Sequence, residues 1–503
     1  MIFRAPEDPL EIPDLALAPF LLERAARWGD KAAFIDSSGG RVLTFAGWAD
    51  AVRRCAASLA ARGLRKGDVV AIYCANSPDY AIIFFAVSLL GGIATTINPL
   101  YTADELQRQL EDAAAKYLVT SRMFFDKARD MPVREIFVAG EESFESLLES
   151  DGVVPEVEID PANDIVALPY SSGTTGLPKG VMLTHRNLIA NIVQCQSVIQ
   201  LRSDDVTLAF LPFFHIYGMV VIMCSGIYAG ATVVTMPRFD LEQCLQVTER
   251  YRVTYVYVVP PIFLALRSPI VDKYDISSVR TLFSGAAPLS AAVAGEAARR
   301  FHCTVMQGYG MTEASPATHI TRSGDTAGVG QPLQNTESKI VDIGTGAELG
   351  PDQEGEICVR GPQVMMGYLN RPDATAAMID TDGWLHTGDI GYADDQGRFF
   401  IVDRVKELIK YKGLQIAPAE LEALLLTHPS VADAAVVPMP DDEAGQVPKA
   451  FVVLRSAATP DEIKSFVAGR VAPYKKLRVV EVIDAIPRSP SGKILRRLLA
   501  GRA

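Results

Sequence analysis

Two long stretches without a charged residue constrain the fold of this chain more than any other feature. They run from Tyr80 to Ala103 and from Val206 to Pro237, and each is long enough to raise the possibility of a membrane-spanning helix. Turn-forming residues interrupt both stretches: Gly91, Gly92 and Pro99 in the first, and Pro212, Gly218, Gly226 and Gly230 in the second. We therefore interpret each stretch as a buried helix, a glycine turn and a buried strand, in a parallel sheet that is covered on both faces.

The rest of the chain follows a pattern that fits this interpretation. Short apolar runs at 68–73, 93–97, 116–120, 134–138, 233–236 and 254–259 alternate with helical stretches, which is typical of an α/β protein with parallel sheets. Residues 328–371 hold shorter strand-like pieces and many turn residues, and predict a small β-rich subdomain. A helix start at Thr459, with Pro460 and two acids behind it, belongs to a separate α+β unit.

We therefore predict an α/β fold in two domains. Residues 1–403 form a large N-terminal domain of parallel-sheet α/β subdomains plus the β-rich subdomain. Residues 404–503 form a small, mobile α+β C-terminal domain, with a hinge at about 403–406.

Composition excludes several classes of protein. The formal net charge of the 503 residues is -12, which gives no positive field to recruit nucleic acid or anionic membranes. The 7 cysteines are scattered without a CxxC pair, so a disulfide framework or a zinc site is not expected. The first residues lack the layout of a signal peptide. We expect a cytoplasmic protein with no stable membrane insertion.

The strongest local signal is the segment 170–180, Tyr-Ser-Ser-Gly-Thr-Thr-Gly-Leu-Pro-Lys-Gly. Its glycines allow backbone N–H groups to approach a ligand, its hydroxyls donate, and its lysine supplies charge, so it suits a polyphosphate. It is not a Walker loop, because Gly180 follows Lys179 where Ser or Thr is required.

This loop resembles the phosphate-binding signature of the adenylate-forming superfamily, which includes acyl- and aryl-CoA synthetases, peptide-synthetase adenylation domains and luciferases. Further segments similar to that superfamily follow in order at 284–289, 307–313, 384–389, 403–410 and 490–493. Each is weak alone, but together they are specific and cover nearly the whole chain.

The resemblance implies that the chain binds ATP, Mg²⁺, CoA and a small carboxylic acid. Glu313 is implied as the ligand of Mg²⁺, a cation that prefers carboxylate oxygen, Tyr309 as the stacking partner of adenine, and Asp389 and Arg404 as ribose contacts. The implied ATP-binding set is Ser171, Ser172, Gly173, Thr174, Thr175, Gly176, Lys179, Gly285, Ala286, Ala287, Gln307, Gly308, Tyr309, Gly310, Met311, Thr312, Asp389 and Arg404.

The resemblance also assigns roles to the C-terminal region. Lys493 is implied to neutralise charge while carboxylate oxygen attacks the α-phosphorus. Lys406 matches the hinge position, and Lys410 and Gln415 match residues near the reacting centre in one of two domain orientations. Two half-reactions in one cleft need different groups at different times, which a rotating small domain supplies.

Within the superfamily the chain looks closest to 4-coumarate–CoA ligases. The implied acyl pocket consists of Tyr217, Val220, Phe283, Gly285, Gly308, Gly310, Pro316, Ala317 and Thr318, with His215 at its mouth. Plant members often carry Asn where Val220 stands and Lys near Phe283, whereas both positions are apolar here. A phenol on the substrate therefore has fewer polar partners, and Tyr217 could serve as one. This favours an apolar or aryl acid.

Several alternatives remain open on the sequence. They are a ligase for medium-chain fatty acids, an acyl-adenylating enzyme that loads a carrier protein, and a non-catalytic nucleotide sensor. The sensor is expected to lose Glu313, Asp389 or Lys493, and all three are present.

Overall fold

The fold places four β-sheets in succession, with helices over them. The computed structural model describes residues 1–171, 178–287, 289–322, 324–325, 327–404, 407–411, 414–441, 444–489 and 492–500, apart from the side chains of Leu414, Gln415 and Arg497. Within this part of the chain, no helix is long and apolar enough to cross a membrane. The two uncharged stretches are therefore buried helices and strands, as predicted.

The first sheet, called here the N-terminal sheet, contains the strands between residues 69 and 184 together with Gly367–Tyr368. Its strands lie in the spatial order Gly367–Tyr368, Lys179–Thr184, Ile165–Ala167, Ile93–Thr96, Val69–Tyr73, Ala115–Ser121 and Glu135–Ala139, and Tyr170–Ser171 pairs with Lys179–Thr184. The last five strands in this order, from Ile165–Ala167 to Glu135–Ala139, are parallel to one another. The strand Lys179–Thr184 is antiparallel to Ile165–Ala167.

The central sheet carries most of the cleft described below. Its strands lie in the order Gln331–Pro332, Ala317–Ile320, Thr304–Gly310, Thr281–Ser284, Tyr255–Val258, Val206–Ala209, Thr232–Thr235, Ala32–Asp36 and Val42–Thr44. The middle of this sheet is parallel, and both edges are antiparallel.

The β-rich sheet is antiparallel and larger than the sequence indicates. Its strands are Ile2–Arg4, Glu337–Val341, Gly355–Arg360, Leu385–Ala393 and Phe399–Arg404. The sequence pattern ends this subdomain at 371, but two further strands pair onto it, and the N-terminal strand closes its other edge. Long-range pairing of this kind leaves no local signal.

The C-terminal sheet consists of Leu414–Ile416, Ile409–Tyr411, Gly445–Leu454 and Val431–Asp441, with Val479–Val482 parallel to Gly445–Leu454. It has a hydrophobic core of its own around Leu421, Val436 and Val452. A separate core is what a separate domain requires. The boundary at 403–404 and the hinge at 403–406 stay predictions, and Lys406 lies outside the described residues.

Helices cover the sheets and several have the caps that their sequences predict. Thr459 caps Pro460–Ala468 in a reciprocal capping box with Glu462. The α-helices are Leu17–Ala25, Phe45–Ala61, Pro78–Leu89, Ala103–Asp112, Phe125–Ala128, Glu142–Leu148, His185–Ile199, Ser225–Ala229, Leu241–Tyr251, Pro260–Ala265, Ala291–Phe301, Pro372–Ala376, Pro418–Leu426, Pro460–Ala468 and Arg496–Ala500, with a π-helix at Tyr217–Cys224 and 3₁₀ turns at Arg122–Phe124, Pro269–Lys273, Thr312–Ala314 and Pro473–Lys475.

Candidate active site

The site begins at the carboxyl ends of two neighbouring strands of the central sheet, Thr281–Ser284 and Thr304–Gly310. The segments 285–287 and 307–312 of the predicted ATP site therefore lie side by side. Glycine is required at positions 308 and 310 because no side chain would fit there. A Cβ at Gly308 would lie 2.8 Å from Phe283, and one at Gly310 would lie 2.0 Å from the Pro316 carbonyl oxygen. The chain thus exposes bare backbone at the edge where open α/β sheets bind ligands.

Tyr309, Asp389 and Arg404 form one hydrogen-bonded group. Tyr309 donates to an Asp389 carboxylate oxygen at 2.6 Å, and Arg404 Nε lies 3.0 Å from the other oxygen. Asp389 and Arg404 face each other on paired strands, so the sheet register fixes their contact. Burial raises the pKa of the Asp389 carboxyl above its ordinary value, and Arg404 opposes this shift. The group therefore presents a held carboxylate and a guanidinium beside an aromatic ring.

Glu313 lies apart from that group and is 5 % exposed. Ser171 donates to its carboxylate at 2.9 Å and Tyr368 donates at 2.7 Å. Lys179 Nζ lies 4.9 Å above the Tyr368 ring. The predicted phosphate lysine and the predicted metal ligand therefore flank the same tyrosine. Ser172, Gly173, Thr174, Thr175 and Gly176 lie outside the described residues.

The donor set around Glu313 fits a divalent cation of the Mg²⁺ type. Its carboxylate offers hard oxygen, and the hydroxyls of Ser171 and Tyr368 hold it in one orientation. Outer contacts of this kind orient a metal ligand. Tyr368 was not predicted from the sequence, because it lies on a two-residue strand, Gly367–Tyr368, of the N-terminal sheet.

Lys493 reaches the N-terminal cleft from the C-terminal region. Ser489 holds its loop, accepting from the Lys493 N–H at 3.1 Å through Oγ, and a Cβ at the neighbouring Gly492 would lie 3.1 Å from the Val259 side chain. Burial lowers the pKa of Lys493 to about 8, Arg404 acts in the same direction, and Glu407 and Asp389 oppose it. The Lys493 ammonium therefore interacts electrostatically with both Asp389 and Arg404.

His215 lies close enough to Lys493 for the charge of the lysine to act on it. Burial lowers the pKa of His215 to about 4, and the charge of Lys493 adds to that shift. The Tyr217 N–H donates to His215 Nδ1 at 3.2 Å, so the neutral ring carries its proton on Nε2. A neutral imidazole at this place can donate one hydrogen bond towards the cleft.

Several residues predicted for the acyl pocket contact one another, and Tyr217 among them is hydrogen-bonded to His215. Tyr217 and Phe283 have ring centroids 6.3 Å apart, and Val220 is fully buried. A Cβ at Gly285 would lie 3.0 Å from the Tyr217 ring. Asn191 holds the strand that follows Pro316, through both backbone groups of Ala317. Thr318 donates to the Tyr309 carbonyl at 3.3 Å, which joins this pocket to the nucleotide side.

Lys410 is not joined to this group by any contact between described residues. Its side chain is exposed on the strand Ile409–Tyr411, and the register places it opposite Gln415 on Leu414–Ile416. The side chain of Gln415 lies outside the described part of the chain. Lys410 and Gln415 are thus neighbours on paired strands. Their action near the reacting centre in a second domain orientation stays a prediction.

Two supporting groups were also missed by the sequence analysis. His319 is fully buried behind Tyr309, with ring centroids 5.7 Å apart, and its nitrogens lie 2.9 Å from Thr318 Oγ1 and 3.1 Å from Ser338 Oγ. Glu356 accepts from the Gly388 N–H at 2.9 Å and lies 3.0 Å from His386. His319 supports the ring of Tyr309, and Glu356 holds the turn that precedes Asp389.

Comparison with known proteins agrees with this geometry. A family model described as AMP-binding enzyme matches residues 21–369, and one described as AMP-binding enzyme C-terminal domain matches 420–493. The chain therefore belongs to the AMP-binding, adenylate-forming enzymes, as the motifs predicted.

Within that family the chain is similar to 4-coumarate–CoA ligases. It is 46% identical to 4-coumarate–CoA ligase 5 of Oryza sativa subsp. japonica, over 100% of this chain and 97% of the relative. Among solved structures, ATP-bound MatB from Rhodopseudomonas palustris aligns with a TM-score of 0.89 at 28% identity, covering 96% of this chain and 98% of that one. The anthranilate CoA ligase AuaEII in complex with anthranoyl-AMP aligns with a TM-score of 0.90 at 25% identity, covering 98% of each chain.

Proposed function

We propose that this chain is an AMP-forming acid–CoA ligase for hydroxycinnamate-type or related aryl acids. The reaction joins a carboxylic acid to CoA and converts ATP to AMP and pyrophosphate. The observation that carries the proposal is the meeting of Lys493 with the Asp389–Arg404 group and His215 over one cleft. The names of the full-length relatives support the choice of acid.

In the first half-reaction, an oxygen of the substrate carboxylate forms a bond to the α-phosphorus of ATP, and the bond from that phosphorus to pyrophosphate breaks. Lys493 supplies positive charge where negative charge accumulates. Asp389 and Arg404 hold the ribose, Tyr309 supports the adenine, and Lys179 lies on the phosphate side. Glu313 would hold Mg²⁺, which would supply positive charge to balance the phosphates of ATP.

In the second half-reaction, the CoA thiol loses its proton to water, its sulfur forms a bond to the acyl carbon, and AMP leaves with the electrons of the broken C–O bond. The neutral His215 lies at the mouth of the acyl pocket, where it can donate a hydrogen bond to the acyl oxygen. Lys410 and Gln415 would replace Lys493 at the cleft when the C-terminal domain rotates.

The apolar lining of the pocket also supports a second candidate, a medium-chain fatty acid. Val220 and Phe283 offer no polar contact, and Val220 is fully buried. An acyl chain would need no polar partner there, whereas a phenol would.

A panel of acids tests both candidates. We expect a higher kcat/KM for 4-coumarate and cinnamate than for benzoate, anthranilate or C6–C12 fatty acids, with AMP, pyrophosphate and acyl-CoA formed in equal amounts. Turnover of fatty acids alone would favour the second candidate. Release of ADP and orthophosphate, or acyl transfer to a carrier protein but not to CoA, would contradict the proposal.

A further inference from the structure

A cluster of metal-ligating side chains lies on the β-rich sheet, apart from the proposed Mg²⁺ site. Glu356, Cys358 and His386 each offer one ligand atom, and within the described residues these three atoms all lie within 4.8 Å of one another. Glu356 and Cys358 lie on the strand Gly355–Arg360, and His386 lies on the paired strand Leu385–Ala393. The register places Cys358 opposite His386. Strand pairing therefore brings the three side chains together.

The distances between the ligand atoms match a tetrahedral metal centre. His386 Nδ1 lies 3.5 Å from Cys358 Sγ and 3.0 Å from Glu356 Oε2. Around a tetrahedral Zn²⁺ with ordinary bond lengths, a nitrogen and a sulfur ligand lie about 3.5 Å apart, and a nitrogen and an oxygen ligand lie about 3.3 Å apart. A cation between these atoms would therefore require only small shifts. Three protein ligands leave the fourth position of the tetrahedron to water.

The other nitrogen of the His386 ring faces a carboxylate. Nε2 lies 3.5 Å from Asp380 Oδ2, while Asp380 Oδ1 accepts from the N–H groups of Asp382 and Trp384, both at 2.9 Å. A carboxylate behind a ligating histidine is a common outer contact of a metal site, because it fixes the tautomer that turns the remaining nitrogen to the metal. Asp380 is thus placed to orient Nδ1 towards the other two ligands.

A simpler explanation is that His386 only bridges two carboxylates, those of Glu356 and Asp380. That explanation accounts for both ring nitrogens, but it leaves out the sulfur of Cys358, which faces the same nitrogen as Glu356 does. Cys358 is 0% exposed and the side chain of His386 is 33% exposed. The cluster is therefore open to solvent at the histidine and closed at the sulfur, as a binding site for a small cation requires.

The charges around the cluster suit a divalent cation. Burial and Glu356 raise the pKa of the Cys358 thiol to about 12, and Lys339 opposes this shift. The thiol is therefore protonated until a cation binds, and its proton passes to solvent as the bond from sulfur to metal forms. The thiolate and the Glu356 carboxylate then balance the two charges of the metal. The Lys339 ammonium is held elsewhere, 4.5 Å above the Trp384 ring and 3.5 Å from Glu348.

We propose that Glu356, Cys358 and His386 form a binding site for a divalent transition cation of the Zn²⁺ type, with Asp380 as its outer contact. A mixed set of sulfur, nitrogen and oxygen donors favours such a cation over Mg²⁺, which prefers an octahedron of oxygen ligands. The scattered cysteines gave no reason to expect a zinc site from the sequence. Cys358 and His386 are 28 residues apart and meet only through strand pairing.

The site adjoins the ribose side of the cleft. Glu356 accepts from the Gly388 N–H through its other oxygen, Oε1, at 2.9 Å, and Asp389 follows Gly388 in the chain. A cation on Glu356 and His386 would therefore clamp both ends of the turn that leads to Asp389. Because such a cation binds the folded chain, we expect it to raise the Tm of the protein.

Calorimetric titration of the whole protein with ZnCl₂ tests the proposal. Excess Mg²⁺ fills the proposed Glu313 site during the titration, and a reductant without thiols keeps the cysteines free. We expect one tightly bound Zn²⁺ per chain and a Tm that is a few degrees higher with zinc than without it. Because the proposal does not depend on the acid substrate, none of these measurements needs turnover.

Three variants test the ligand set. Asp380→Asn keeps an oxygen for the N–H groups of the turn and loses the one that faces His386, so we expect the Kd for Zn²⁺ to rise about tenfold to a hundredfold. Cys358→Ser and His386→Gln each remove a ligand and should raise the Kd further. His386→Gln changes a partly exposed position, so it keeps the test available if Cys358→Ser does not fold.

Cys303→Ser is the matched control for the thiol. Cys303 is a half-buried cysteine that does not belong to the cluster, and its variant should bind Zn²⁺ as the wild type does. Titration with Co²⁺ gives a second measurement on the wild type alone. We expect tetrahedral cobalt bands together with a charge-transfer band from thiolate to cobalt, both of which Zn²⁺ should remove by displacement.

Three results would overturn the proposal. If the wild type binds no Zn²⁺, His386 only bridges two carboxylates. If Cys358→Ser and His386→Gln bind Zn²⁺ as tightly as the wild type, the cation lies elsewhere on the chain. If bound cobalt shows no thiolate band, the sulfur of Cys358 is not a ligand. In all three cases the proposed ligase function stands, because it uses neither this cation nor these measurements.

Discussion

Tyr368 donates a 2.7 Å hydrogen bond to Glu313, and its ring faces the ammonium of Lys179. One side chain from the N-terminal sheet therefore touches both the carboxylate proposed to hold Mg²⁺ and the lysine of the phosphate loop. Burial and the nearby Glu313 raise the pKa of Tyr368 above its ordinary value, so the phenol keeps its proton and remains a donor. The geometry of the metal side of the cleft depends on this contact.

Tyr368→Phe should weaken the use of Mg·ATP. The change removes one hydrogen bond to a charged acceptor, so we expect kcat/KM for ATP to fall about tenfold, with a higher Mg²⁺ concentration needed for half-maximal rate. The KM for the acid should change little, because Tyr368 lies away from the acyl pocket. Initial rates of pyrophosphate release at varied ATP and Mg²⁺ measure both effects.

The control is Tyr274→Phe, which removes a similar bond to a carboxylate. Tyr274 donates to Glu242 at 2.8 Å on the surface, far from Glu313 in the fold. The Tyr274→Phe variant should show the wild-type dependence of the rate on ATP and on Mg²⁺. Equal behaviour of the two variants would show that Tyr368 does not position Glu313.

Lys493→Ala should separate the two half-reactions. Removal of the ammonium takes away charge stabilisation at the α-phosphorus, and we expect adenylation to slow by about a hundredfold or more. Thioester formation from supplied acyl-adenylate should survive, because that step breaks the bond between the acyl carbon and oxygen and makes or breaks no bond to phosphorus. ATP–pyrophosphate exchange measures the first step and direct thioester formation measures the second.

Lys464→Ala serves as the control for that experiment. Lys464 lies on the helix Pro460–Ala468 of the same C-terminal region and pairs with Asp461 at 2.8 Å. Neither half-reaction should change. Equal loss of both half-reactions in a folded Lys493→Ala protein would refute the role assigned to Lys493.

The protonation of Lys493 predicts a pH dependence of adenylation. Burial lowers its pKa to about 8, and the charged form is the one that stabilises the transition state. The kcat/KM for ATP in the adenylation step should therefore be constant at lower pH and should fall as pH rises through about 8, since this parameter reports the free enzyme. The profile of kcat should bend at higher pH, because the bound phosphates favour the ammonium.

Lys493→Arg tests the assignment of that bend. Arginine keeps its charge throughout the accessible range, so whatever activity the variant retains should not fall near pH 8. A bend that persists unchanged in Lys493→Arg would belong to another group.

The sequence predicted those parts of the fold and the site that carry local signals. The capping box at Thr459 and the buried helix Pro78–Leu89 follow from residues a few positions apart. The five motifs predicted which residues to look for, and the sheet register then brings Asp389 and Arg404 into contact.

His319 and Tyr368 were not predictable in the same way. Each lies on a short strand whose local sequence looks like ordinary buried sheet, and its importance comes from partners brought by other strands. Only the assembled sheets bring His319 to Ser338 and Tyr368 to Glu313. Such contacts follow from the assembled sheets and not from the spacing of residues along the chain.

Buried histidines predict a loss of stability in acid. Burial lowers the pKa of His185 to about 4 and that of His319 to about 3, from 6.5. Because the folded pKa is lower than the unfolded one, the full stability is present above pH 6.5. It is lost as pH falls from 6.5 towards 4, since the unfolded chain then binds more protons.

His185→Asn measures one of these contributions. His185 Nδ1 accepts from the Leu17 N–H at 3.0 Å, and an Asn side-chain oxygen can accept in its place without titrating. We expect the variant to lose less stability between pH 6.5 and 4 than the wild type, by up to about 3 kcal/mol. Thermal unfolding at a series of pH values measures the difference, and His302→Asn, at an exposed position, should follow the wild-type curve. Parallel curves for His185→Asn and the wild type would mean that His185 does not contribute to the acid sensitivity of the fold.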